Sequence, residues 1–140
     1  MEFNGALDRQ PLRKAEINQC RAAIAGCLVD ARNADNHREN RLVLAYTAIL
    51  KCSLLALRAR NLRMKPSSGH HRLAMESLHH TLGVPVEDVD YLCDLAQMRN
   101  DDMYESTPAS DSDISEAIDF AARLSDTLDA WLREKGLLVP

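Results

Sequence analysis

The chain has 140 residues, 46% of them hydrophobic and only six aromatic, which is enough for one domain with a mainly aliphatic core. Its net charge of −4 argues against a broad, non-specific nucleic-acid surface. Arginine outnumbers lysine 13 to 4. This bias suits bidentate contacts with phosphate groups, but a GC-rich coding sequence explains it equally well. No apolar run approaches the ~20 residues that cross a bilayer, and residues 1–4 lack a signal-peptide pattern, so we expect a cytoplasmic protein.

The first two apolar segments predict two long helices. In the first, an apolar stripe from Ile17 to Ala31 has the spacing of an amphipathic helix, and it stops in the polar cluster 32–36. The second, about 38–61, is apolar on nearly every side. Such a helix is covered by more than one neighbour, so it is either the central helix of the domain or a helix that also meets another subunit.

Three further helices complete the predicted fold. A short helix over 71–82 ends at Gly83, and Pro85 opens the next one. Before the last helix, Asp113 and Glu116 have the spacing of a capping box with Asp113 as the cap. With no strand signal, the sequence predicts an all-α, single-domain five-helix bundle over residues 1–140, with its core in residues 12–132.

Four basic residues surround the end of the second predicted helix: Arg58, Arg60, Arg63 and Lys65. One explanation is the favourable interaction of cations with the negative end of the helix dipole. The other is a patch that faces phosphate groups. The sequence leaves both explanations open.

The candidate functional residues are Arg99, Asn100 and Tyr104, within the run Arg-Asn-Asp-Asp-Met-Tyr. The arginine fork suits a phosphate group, the amide can position it, and the phenol can donate or accept a proton. On a straight helix Arg99 and Tyr104 are about 140° apart around the axis and ~7.5 Å apart along it. Both therefore reach one phosphate only if the helix bends or a second copy of the chain contributes.

This run resembles the signature of the HEPN superfamily (higher eukaryotes and prokaryotes nucleotide-binding), an arginine, often an asparagine, and then a histidine. Here Tyr104 stands in place of that histidine. The segment 39–50 is similar to the long second helix of a bacterial HEPN subgroup, and Gly69-His70-His71 to its turn before a short helix. The resemblance covers about residues 12–132. It implies a HEPN-like helical fold and a homodimer whose motif helices face each other across a shared cleft.

The resemblance also implies an activity, which is metal-independent cleavage of RNA, or binding of RNA or a nucleotide, in a toxin-antitoxin, defence or stress system. By this resemblance Arg99 and Tyr104 would be catalytic and Asn100 supporting. The residues themselves add Arg63, from the basic group after the second helix, and His70 and His71, which could line the same cleft, to Arg99 and Asn100 as candidate binding residues. Because the histidine is replaced, the alternative is a catalytically inactive homodimer that serves as a protein-interaction module, for example with a nucleotidyltransferase.

The histidines and cysteines do not predict a metal site or a cofactor. His71 and His79 are two helical turns apart, about 12 Å, which is too far for one ion. The four cysteines, Cys20, Cys27, Cys52 and Cys93, form no Cys-x-x-Cys pair and occupy apolar helical positions. We interpret them as structural thiols.

Overall fold

The computed structural model describes residues 7–65, 70–104 and 109–138, with their side chains except those of His70 and residues 99–104. These residues are predominantly helical, which confirms the all-α prediction in its main feature. The elements in chain order are β1 (Leu7–Arg9), α1 (Lys14–Arg32), α2 (Arg38–Arg58), β2 (Leu62–Met64), α3 (His70–Glu76), α4 (Leu78–Thr81), α5 (Val86–Tyr104) and α6 (Asp111–Glu134).

Helix α2 lies at the centre of the fold. It packs against α1 and α6 along its length and also meets β2, α3, α4 and α5. Leu42, Ile49 and Leu55 are among its fully buried side chains. Among the described helices, α2 is the one that is long and apolar enough to cross a membrane, although charged residues interrupt its sequence. Of its most apolar 18-residue stretch, 56% is buried inside the protein. That burial is typical of a core helix, which is the first of the two explanations that the sequence left open.

The prediction that the chain contains no strand is wrong. Strands β1 and β2 form a small antiparallel ribbon beside the C-terminal end of α2. Helix α2 ends at Arg58, earlier than predicted, because Asn61 adopts a left-handed conformation with φ of +61°. The Asn61 carbonyl accepts the N–H of Gln10 at 2.8 Å and its side-chain oxygen accepts that of Leu12 at 2.9 Å. Strands of three residues are too short to show an alternating pattern in the sequence.

The third predicted helix is divided into α3 and α4 at Ser77. The buried Ser77 hydroxyl donates to the carbonyl oxygen of Ala74, and such side-chain bonds compete with the regular helix ladder. The predicted stop at Gly83 is confirmed. Gly83 has φ of +71°, and the N–H of Val84 turns back to the carbonyl of Leu78 at 3.2 Å.

Helix α6 begins with a capping box three residues before the predicted one. Ser110 is the N-cap. Its hydroxyl accepts the N–H of Asp113 at 3.0 Å, and the Asp113 carboxylate accepts the N–H of Ser110 at 3.1 Å. The prediction of Asp113 as the cap is wrong because the pairs 110/113 and 113/116 have the same spacing. The apolar stripe of α6 is buried as predicted, at Ile114, Ala117, Ile118, Ala121, Leu124, Leu128 and Leu132.

Candidate functional site

Helix α5 carries the Arg-Asn motif. Pro85 precedes it, and the Pro85 carbonyl accepts the N–H groups of Asp88 and Val89 at 3.0 and 3.1 Å. Val89, Leu92 and Leu95 are buried and hold the helix against α2 and α3. The motif therefore occupies the last turns of a helix whose first three turns are anchored in the core.

The backbone remains α-helical through the whole motif, because α5 ends at Tyr104. The side chains of Arg99, Asn100 and Tyr104 lie outside the described residues, so only their positions along the helix are defined. On an uninterrupted helix, positions 99 and 104 differ by about 140° around the axis and by ~7.5 Å along it. One copy of α5 therefore presents this arginine and this tyrosine on different faces.

The two candidate histidines lie at the start of α3, which packs against α5. The side chain of His70 is outside the described residues. His71 is exposed, and its ring centroid lies 6.5 Å from that of Tyr46 on α2, at an interplanar angle of 49°. The contact described for His71 is thus with the central helix.

Arg58 is a structural residue rather than part of a phosphate-facing patch. Its side chain is 10% exposed, and each of its five N–H donors has an acceptor. Nε and Nη2 bind the two carboxylate oxygens of Glu16 at 3.0 and 3.1 Å. The other donors bind the carbonyl oxygens of Gln10, Pro11 and Leu62 at 2.8–3.2 Å. With every donor engaged, Arg58 joins the start of α1 to the ribbon and has no donor left for a ligand.

Glu16 is the anionic partner in this arrangement. The hydrogen bonds and the charge of Arg58 lower the pKa of Glu16 below its usual 4.5, against the opposing effect of burial. The same carboxylate accepts the backbone N–H of Arg13 at 3.4 Å. Glu16 therefore caps the first turn of α1 and neutralises Arg58.

The other predicted basic residues remain exposed. Arg60 donates to the carbonyl of Thr81 at 3.3 Å, Arg63 donates to the side-chain oxygen of Gln10 at 3.3 Å, and Lys65 lies 3.6 Å from the carboxylate of Asp8. The ribbon also brings exposed Arg9 and Lys14 to this end of the molecule. The sequence does not reveal this pair, because residues 7–14 reach residues 58–65 through an unforeseen strand pairing and through the hydrogen bonds of Arg58 and Asn61.

The histidines of α4 and two of the cysteines have structural explanations. His79 Nδ1 lies 2.9 Å from the carbonyl oxygen of Val84, and its ring meets that of His80 edge-on at 5.4 Å. Burial raises the pKa of Cys52 to about 12 and also raises that of Cys93, so both are poor nucleophiles at neutral pH. In the part of the chain that the structure describes, no group of three or more His, Cys, Asp or Glu residues could hold a metal ion.

A small cavity lies between the Gly83 turn and α6. Its volume is about 240 Å³, and its lining includes Val84, Phe120 and Leu124, with Arg123 on its wall. It is smaller than the ~300–1,000 Å³ usual for ligand pockets. It is also at the N-terminal end of α5, roughly 20 Å from the motif by the rise of the helix. The cavity and the motif are therefore separate features.

The chain matches no protein-family model, no curated protein and no solved structure.

Proposed function

We propose that this protein is a HEPN-type homodimer that binds or cleaves RNA, or binds a nucleotide, through Arg99, Asn100 and Tyr104. The observation that carries the proposal is the placement of the motif on the last turns of α5, a core-anchored helix. The resemblance of the segment 39–50 and of Gly69-His70-His71 to a HEPN subgroup supports the same assignment. We place the protein in the cytoplasm, in a toxin-antitoxin, defence or stress system.

The dimer follows from the geometry of a continuous helix. Because positions 99 and 104 point about 140° apart, one chain does not direct both side chains at the same phosphate. A two-fold axis beside the end of α5 brings Arg99 of one copy towards Tyr104 of the other, and it does so twice by symmetry. The site would then contain two arginines and two tyrosines.

The proposed reaction is transesterification without a metal ion. The ribose 2′-oxygen forms a bond to the adjacent phosphorus, and the bond from phosphorus to the 5′-oxygen breaks. Arg99 stabilises the negative charge that builds up on the phosphoryl oxygens. Tyr104 donates a proton to the leaving oxygen, because a phenol with an ordinary pKa of about 10 is protonated at neutral pH and is a weak base. Asp101, Asp102 or a histidine at the start of α3 would remove the 2′ proton.

RNA cleavage in the presence of EDTA tests this proposal. Arg99→Ala should abolish cleavage without changing the thermal unfolding of the protein, whereas the matched control Arg32→Ala, at an exposed position on α1, should retain it. Tyr104→His should raise the rate near pH 7, since imidazole has a pKa close to that pH. Cleavage that requires a divalent ion, or that survives Arg99→Ala, would reject the mechanism.

The second candidate is an inactive dimer that binds a protein partner such as a nucleotidyltransferase. One surface favours it. The outward face of α1 is exposed and carries no charged side chain over four turns, and Val29 on this face is 66% exposed. Its members are Ala15, Asn18, Gln19, Ala22, Ala25, Gly26 and Val29. In this case Arg99→Ala has no effect on RNA binding, and Val29→Glu weakens binding of the partner protein by placing a charge in the contact.

A further inference from the structure

The two segments that meet at the β1–β2 ribbon are strongly basic, in contrast to the chain as a whole. Residues 7–16 and 58–65 contain seven lysines and arginines but two carboxylates, so these two segments carry a formal charge of +5 in a protein of net charge −4. Strand pairing and the bonds of Arg58 hold the two segments together. The structure thus concentrates positive charge that is dispersed in the sequence.

Four of these cations are exposed, and none forms an ion pair with a carboxylate among the described residues. They are Arg9 on β1, Lys14 at the start of α1, Arg60 after α2 and Arg63 on β2. We call this group the ribbon cluster. Elsewhere on the surface, Arg21, Arg38 and Arg72 are paired with Asp129, Asp111 and Glu76 at 2.8–2.9 Å. Among the described residues, Arg32 and Arg123 are also exposed and form no ion pair, which makes them suitable controls.

The two carboxylates near the ribbon cluster, Glu16 and Asp8, are paired with cations outside the cluster. Arg58 engages both oxygens of Glu16, and Lys65 is paired with Asp8, the other carboxylate of the two segments. The two carboxylates of these segments are thereby paired within the fold.

Because residues paired across two strands lie on the same face, Arg63 lies beside Asp8 on one face of the ribbon and Arg9 lies beside Leu62 on the other. The four remaining cations therefore lie around the ribbon, and their positive field attracts anionic partners over roughly a Debye length of 8–10 Å.

We propose that the ribbon cluster binds the phosphate backbone of single-stranded RNA. Three of its four members are arginines, whose planar forks fit phosphate oxygens. A membrane surface is less well matched, because interfacial segments insert large apolar side chains beside their cations. The large apolar residues exposed in the described part of the chain are Val29 and Val86, and neither belongs to the ribbon segments. The identity of the ligand rests on the proposed function, whereas the surface itself does not depend on the motif of α5.

The salt dependence of RNA binding tests the cluster. Fluorescence anisotropy with a labelled 12-nucleotide single-stranded RNA would compare the wild type with the double variant Arg9→Gln/Arg63→Gln. The association constant K falls as salt rises, and each lost phosphate contact makes the slope of log K against log salt less steep by about 0.7. The slope of the double variant should therefore be less steep than that of the wild type by about 1.4. The matched control is Arg32→Gln/Arg123→Gln, which removes the same charge from exposed positions outside the ribbon segments. It should keep the wild-type slope.

Three results would overturn the proposal. The first is a wild type that shows no salt-dependent RNA binding, the second is a ribbon variant that keeps the wild-type slope, and the third is an equal loss of slope in both double variants. Thermal unfolding checks that Arg9→Gln/Arg63→Gln remains folded. An Arg99→Ala arm separates this inference from the proposed function. Suppose that Arg99→Ala cleaves RNA like the wild type while Arg9→Gln/Arg63→Gln has a less steep salt dependence of RNA binding. The cleavage mechanism proposed for α5 is then wrong, and RNA binding by the ribbon cluster is still supported.

Discussion

The C-terminal ends of α2 and α5 each carry an arginine near the last turns of a long, core-packed helix, and the two residues have different sequence neighbours. At the end of α2, Arg58 is buried, and the ribbon and the start of α1 supply an acceptor for each of its donors. At the end of α5, the side chain of Arg99 lies outside the described residues, and its neighbours in sequence are the polar residues Asn100, Asp101 and Asp102. Arg58 is thus a structural residue because the rest of the fold supplies an acceptor for each of its donors, whereas the role of Arg99 is a proposal that rests on its position in the motif.

The largest effect that we expect from this difference is on stability. Arg58→Ala removes one partner of a mostly buried ion pair and leaves Glu16 and three carbonyl oxygens without their donors. Breaking a buried pair in this way costs about 3–5 kcal/mol. Arg60→Ala, an exposed neighbour with one hydrogen bond, should change the free energy of unfolding by no more than about 0.5 kcal/mol. Urea denaturation followed by circular dichroism measures both, and equal midpoints for the two variants would show that Arg58 is not the anchor.

A smaller effect is expected on the stability of the protein at acidic pH. The pKa of Glu16 is lower in the folded protein than its usual 4.5, so the pair contributes its full stabilisation above about pH 4.5 and loses it as the pH falls through the lowered pKa. Glu16→Gln should therefore be less stable than the wild type at pH 7, and the difference should shrink towards pH 3. Glu39→Gln, an exposed carboxylate on α2, should follow the wild-type pH profile. A constant gap between Glu16→Gln and the wild type at all pH values would contradict this linkage.

Much of the helical framework could be predicted from sequence because its signals are local. The apolar stripe of α6 and the glycine after α4 each depend on residues within a few turns of one another. The starting residue of α6 was misplaced because two capping-box spacings overlap there. The role of Arg58 was not predictable, since its carboxylate partner lies 42 residues away on α1 and three of its other acceptors are carbonyl oxygens of residues 10, 11 and 62. For the candidate site, the sequence placed the motif correctly on a helix, while the two-copy site proposed above involves a second chain that no pattern within one chain can position.

The central claim is that one RNA phosphate is held between Arg99 of one copy and Tyr104 of another. Subunit complementation tests it most directly, after light scattering at micromolar concentration has measured the size of the wild-type particle. Arg99→Ala and Tyr104→Phe homodimers are each expected to be inactive. Mixed in equal amounts with subunit exchange, they should recover about one quarter of the wild-type cleavage, because half of the dimers are then mixed and each has one intact pairing of two. A monomeric wild type, or a mixture no more active than either variant alone, would contradict the claim.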